Sequence, residues 1–134
     1  MPPDVLELRR WLEKAEHDLR TVEVALDLSK PVTDTAAFHC QQAVEKLLKG
    51  YLFWRDHDFE QIHDLRALAL QCASLDSEFR PWVERVGPLT AYAVRFRYPG
   101  PNDPTLEEVR GALTIANEVQ VFVLERLPPG VRGG

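Results

Sequence analysis

Leu8, Leu12, Ala15, Leu19, Val22 and Leu26 recur at alternating steps of four and three, the spacing that lines one face of a helix with apolar side chains. The pattern predicts a first helix over residues 5 to 28, broken by SKPVTD with its Pro31. A second helix follows over 35 to 55, with Asp34 or Thr35 as its candidate cap. After the polar stretch DHDFEQIH, Asp64 stands where it can cap a short third helix through Leu75, buried along Leu65, Leu68, Cys72 and Leu75. A fourth helix is predicted over 77 to 98. Gly87-Pro88 should kink it, because proline removes a backbone donor and clashes with the preceding turn. PGPNDP then forces a turn, and a last helix over 105 to 127 buries Leu106, Val109, Leu113, Ala116, Val123 and Leu127.

No segment shows the strict alternation of a strand. The expected fold is therefore all-α, an up-and-down helical bundle of about five helices, four long and one short. It forms a single domain over residues 1–134, with its core over 5–127 and a disordered tail, PPGVRGG, over 128–134. Short connections favour antiparallel neighbours, so the start of the first helix, the loop 56–64 and the turn 98–104 should share one end. His57, His63, Asp64, Arg95, Arg97 and Tyr98 would gather there, with His39 towards the opposite end.

Charge narrows the function. The 134 residues carry a net charge of −5, which excludes a global basic field for nucleic acid and leaves only a local patch to hold phosphate. Cys40 and Cys72, the only cysteines, both lie in apolar periodic segments; they read as buried thiols of a reducing compartment. MPPDVLELRRWLEK has no apolar signal core, and no apolar run approaches membrane-spanning length. A cytoplasmic location without membrane attachment is expected.

The candidate chemistry is concentrated in AFHCQQAVEKLLKGYLF, residues 37 to 53. On a helix, His39, Gln42, Lys46 and Lys49 fall within a sector of about 80°, well away from Cys40, Val44, Leu47 and Tyr51. Glu45 precedes Lys49 by four residues, the favourable order for an intrahelical ion pair. Three readings are open: a solvated stripe, a second protein surface suggested by the apolar flanks Phe38, Leu52 and Phe53, or a phosphate contact through Lys46 and Lys49 supported by His39 and Gln42.

Other patterns are weaker. His63-Asp64 resembles the His-Asp pair of metal-dependent phosphohydrolases, but the helix would carry His39 about 27 Å from the loop that holds it, too far for a shared metal. Glu60-x-x-His63 occurs once, without the second copy that a di-iron bundle needs. No Gly-rich phosphate loop, Cys-x-x-Cys pair or His-Glu-x-x-His helix is present, so no metal or cofactor is expected. Arg95, Arg97 and Tyr98 close a helix whose C-terminus favours cations; beside His63-Asp64 they could equally form a small anion or base-stacking site.

AFHCQQAVEKLLKGYL, the later HDL at 63–65 and RYP at 97–99, in that order and spacing, resemble the HEPN domain (higher eukaryotes and prokaryotes nucleotide-binding). Trp11, Ala15 and Asp18-Leu19 fit the same pattern, and the resemblance covers residues 5 to 127. It implies a bundle of five helices, a homodimer or higher homo-oligomer, a minimal nucleotidyltransferase as partner, and binding of nucleotide or RNA. It places His39, Gln42, Glu45, Lys46, Lys49, His63, Asp64, Arg97 and Tyr98 at motif positions, as ligand or partner contacts. Ribonuclease toxins of the family carry Arg-x(4–6)-His late in the chain. Here no histidine follows residue 63, and the formal match Arg10 to His17 lies in the first helix, where a short motif arises by chance. The implied role is a non-catalytic accessory protein. Its rivals are a metal-independent ribonuclease toxin with a non-standard site built on His63, Arg97 and Tyr98, and a structural oligomerisation module without a small ligand.

Overall fold

In the computed structural model, residues 4–59, 61–93 and 103–131 are described. Five α-helices carry the fold: α1 (Val5–Asp27), α2 (Thr33–Trp54), α3 (Leu65–Leu75), α4 (Arg80–Val86) and α5 (Leu106–Glu125). No strand occurs among the described residues. The predicted all-α bundle is correct, but three helices are long and two short, where four long and one short were expected.

Local chemistry sets most boundaries. Asp4 begins α1 by accepting from the Leu6 N–H at 2.9 Å. Asp64 caps α3, accepting from the N–H groups of Arg66 and Ala67, as its position predicted. Thr105 and Glu108 form a reciprocal capping box at the start of α5. The start of α2 differs from expectation: neither Asp34 nor Thr35 caps it. Val32 precedes the helix, and its own N–H reaches back to the Ala25 carbonyl at 3.1 Å. The turn between α1 and α2 is thus closed by backbone, which lets α2 begin two residues earlier than predicted.

The fourth segment also differs. The α-helical geometry stops at Val86, and Gly87–Ala93 continues as a tighter 3-10 helix. Pro88 has no N–H to give and its ring crowds the turn before it, so the helix ends there instead of bending through. Thr90 then fastens this segment to α3 by accepting from the Leu65 N–H at 2.9 Å.

α2 is the axis of the bundle, packing against α1, α3, α5 and the 3-10 segment. Ala36, Ala37, Cys40, Ala43, Val44, Leu47, Leu48, Tyr51 and Leu52 are all buried, far more than one apolar stripe supplies. The close approach of α1 needs a small residue: a Cβ built on Gly50 would stand 3.3 Å from the Trp11 Cβ. At the other flank, Phe79 is fully buried between Tyr51 and Phe122, with ring centroids 4.6 and 4.8 Å away. Arg126 lies over the Phe122 ring and pairs with Asp76 and Glu78, sealing α5 to the α3–α4 turn.

The chain end is ordered further than predicted. Pro129–Val131 forms a 3-10 turn, Val131 is buried, and the Gly130 carbonyl accepts from Arg9 Nη2 at 2.8 Å. The expectation of a disordered tail from residue 128 is therefore wrong up to Val131, because an apolar side chain and one arginine bond anchor it on α1.

α2 ends in a Schellman closure: the His57 N–H bonds to the Leu52 carbonyl at 2.9 Å and the Asp56 N–H to Phe53 at 3.0 Å. Asp56 takes the left-handed conformation this requires, with φ of 55°, a place where glycine is the unstrained residue. Asp56→Gly is expected to raise unfolding stability in urea by about 1 kcal/mol or slightly less; a lower midpoint would mean that the Asp56 side chain stabilises the turn in another way.

Candidate functional site: an ionic seam on α2

The side chains singled out on α2 do not project freely into solvent. Asp18, on the flank of α1 that faces α2, receives His39 Nδ1 on one carboxylate oxygen at 2.7 Å and Lys46 Nζ on the other at 2.6 Å. Residues seven apart on α2 stack on one side of the helix, so a single carboxylate spans both. Asp18 is 6% exposed, and its two donors offset the cost of burying its charge.

One helical turn away, Glu45 is a second anionic hub. Its Oε1 accepts from Gln41 Nε2 at 2.9 Å, and its Oε2 faces Lys49 Nζ at 3.0 Å and His63 Nδ1 at 3.2 Å. Gln42 joins through its neighbour, donating to Gln41 Oε1 at 2.7 Å. Lys49 is buried, which is tolerable only because Glu45 sits beside it. Burial pushes the Glu45 carboxyl up, but the bonds from Gln41, Lys49 and His63 and the Lys49 charge outweigh it. The net result holds Glu45 below the usual carboxylate range.

His39 and Lys46 thus gather on Asp18, and Gln42, Lys49 and His63 gather on Glu45 and Gln41, two clusters along α2 that together make up the seam. Asp64 is spent on its cap, and Arg97 and Tyr98, with Arg95, lie outside the described residues. His63 corrects the expected layout. Sequence spacing puts it at the end of the bundle with His57; instead the loop folds back so that His63 lies over Glu45, about 13 Å along α2 from Trp54. Phe59 and His57 remain near the start of α1, where Phe59 meets the edge of Trp11 at 5.5 Å.

Two members of the seam were not recognised from sequence. Asp18 is a carboxylate flanked at helical spacing by Ala15 and Val22, which was a signal; Gln41 is fully buried, and its one-residue offset from Gln42 concealed it. Among the described residues no cluster of His, Cys, Asp or Glu could hold a metal ion. Neither thiol is poised as a nucleophile: burial pushes Cys40 up to about 12 and raises Cys72 as well.

The lowered Glu45 value has a consequence in acid. A group with a depressed folded-state pKa contributes stability above its unfolded value, here 4.5, and loses it as pH falls through the folded value. Glu45→Gln is therefore expected to flatten the fall in melting temperature below about pH 4.5 relative to the unsubstituted chain. An acid limb of unchanged steepness would show that Glu45 is not the carboxylate responsible.

Comparison with known proteins identifies the family. The family model described as "HEPN domain" matches residues 8–127. Among solved structures, the protein TT1696 from Thermus thermophilus superposes with a TM-score of 0.74 at 32% identity, over 90% of this chain and 98% of that one. No match is found among curated proteins. The family match spans both helices of the seam and runs through α5, and the chain belongs to the HEPN domain family.

Proposed function

We propose that this HEPN domain is an accessory protein that binds nucleotide or RNA phosphate along the outer edge of the seam. In this reading it works beside a minimal nucleotidyltransferase, as a homodimer or higher homo-oligomer in the cytoplasm, and catalyses no reaction itself. None of the described helices is long and apolar enough to cross a membrane.

One observation carries the reading. His39 and Lys46 have side chains 27% and 26% exposed, and each spends a single donor on Asp18. The ammonium keeps two protons for an outside oxyanion, and the imidazole can add a donor from its other nitrogen when the ring is protonated. Asp18 already orders both side chains, so a phosphate bound there would cost little additional conformational entropy. Lys49 is less accessible and supports the seam through Glu45. The alternative of a ribonuclease toxin is built on His63, Arg97 and Tyr98, of which only His63 lies among the described residues.

Titration with ATP, GTP and a short RNA, followed by thermal unfolding, tests the binding arm. A ligand at one hundred times its dissociation constant stabilises the folded state by about 2.7 kcal/mol, a clear rise in melting temperature. Lys46→Ala and His39→Ala are each expected to remove most of that rise. Co-purification from the native operon tests the partner arm and should retain the transferase. No thermal shift with any of the three ligands, together with failure to retain a transferase, would overturn the proposal.

A further inference from the structure

Beyond the end of α2 the chain turns back towards the start of α1, and between them lies a depression of about 580 Å³. Three aromatic rings line it: Trp11 from α1, Phe53 from the last turn of α2 and Phe59 from the loop beyond. All three are half-buried. The Trp11 and Phe59 rings stand 5.5 Å apart at 82°, so they make two walls of a corner and not a parallel stack. Local backbone holds Phe59 in place. Asp56 and Gln61 on either side of it take left-handed conformations, with φ of 55° and 69°. The Ile62 N–H reaches back to the Phe59 carbonyl at 3.3 Å. Walls fixed before a ligand arrives cost it little ordering entropy.

The rest of the lining is acidic. Glu7, Asp56 and Asp58 border the rings together with His57, and no lysine or arginine lines the depression. The Glu7 and Asp56 carboxylates enter no hydrogen bond or ion pair among the described residues. Arg55, the nearest cation in sequence, is engaged elsewhere: it donates to the Tyr51 hydroxyl and lies over the Tyr51 ring. The rings decide what kind of cation fits. A hard metal ion takes oxygen ligands on most sides, and among the described residues no group of carboxylates and histidines converges to supply them. An organic ammonium ion is suited instead to an aromatic corner, because its weakly hydrated charge is attracted to the negative face of a ring.

We infer that this corner is a binding site for a methylated or quaternary ammonium ion, held against Trp11 and Phe59 and attracted by Glu7, Asp56 and Asp58. A volume of about 580 Å³ admits the headgroup with a chain attached. The same headgroup is carried by free small molecules such as choline and by a trimethylated lysine side chain. The site goes beyond the phosphate reading and is independent of it, since three carboxylates repel an oxyanion. It also gives Asp56 a use. An aspartate stands in a left-handed turn position where glycine would be unstrained, and it brings a carboxylate to the depression.

The test follows the tryptophan indole N–H signals by NMR, with the Trp11 signal among the three tryptophans identified from Trp11→Phe. The protein is titrated with choline, with a short peptide carrying trimethyllysine, and with the neutral isostere of choline in which a tert-butyl group replaces the trimethylammonium. Either cation is expected to move the Trp11 signal saturably, and the isostere to bind about tenfold more weakly or less. Phe59→Leu, which keeps apolar bulk without a ring, should weaken the cation by about tenfold. Asp56→Asn with Asp58→Asn should weaken it too and reduce its sensitivity to salt. Melting temperatures of both variants confirm that each is folded.

Choline binding as tightly as the peptide assigns the corner to a free small cation, and tighter peptide binding assigns it to a methylated lysine. The isostere binding as tightly as choline overturns the site, because the charge would then play no part. So does the absence of any saturable Trp11 shift with either cation at tens of millimolar, or undiminished affinity in both variants. Choline carries no phosphate, so a failure of the nucleotide titrations leaves this result untouched.

Discussion

Everything in this bundle is arranged around the near-total burial of α2. A helix surrounded by α1, α3, α5 and a 3-10 segment has no broad solvent face on which to leave its polar residues. Each polar side chain must therefore find a partner within the protein. Asp18 comes from α1 to meet His39 and Lys46, and Glu45 meets Lys49, Gln41 and His63. The seam is the polar counterpart of the apolar core and fixes the register of α1 on α2, since sliding either helix by one turn would separate Asp18 from both donors.

Such a seam is a poor way to gain stability alone, because desolvating charged groups offsets much of their attraction. Its value lies in position. Two donors, each about a quarter exposed, are held by a nearly buried carboxylate.

The elements governed by neighbouring residues were legible in the sequence. The apolar spacing from Leu8 to Leu26 located α1, and the cap at Asp64 was readable because a cap depends on residues only a few positions away. The Glu45–Lys49 pair, four apart on one helix, belongs to the same class. What sequence spacing misplaced depends on tertiary partners. Nothing near Asp18 indicates that its oxygens are divided between residues 21 and 28 positions further on. His63 was assigned to the end of the bundle because a loop's return path cannot be read from a period. The tail was expected to be free because Val131 has no local reason to be buried; the turn that holds it packs on α1, far away in sequence.

That tail carries a kinetic consequence. The Arg9–Gly130 bond joins residues 121 positions apart, whereas α1 and α2 meet across a five-residue turn. Contacts that close long loops form late, and those that close short ones form early. The α1–α2 hairpin can thus assemble with its seam before α5 and the tail arrive, and the tail closes last. In the native state the same order runs backwards: the edge anchored by one arginine bond and one valine is where the bundle opens first.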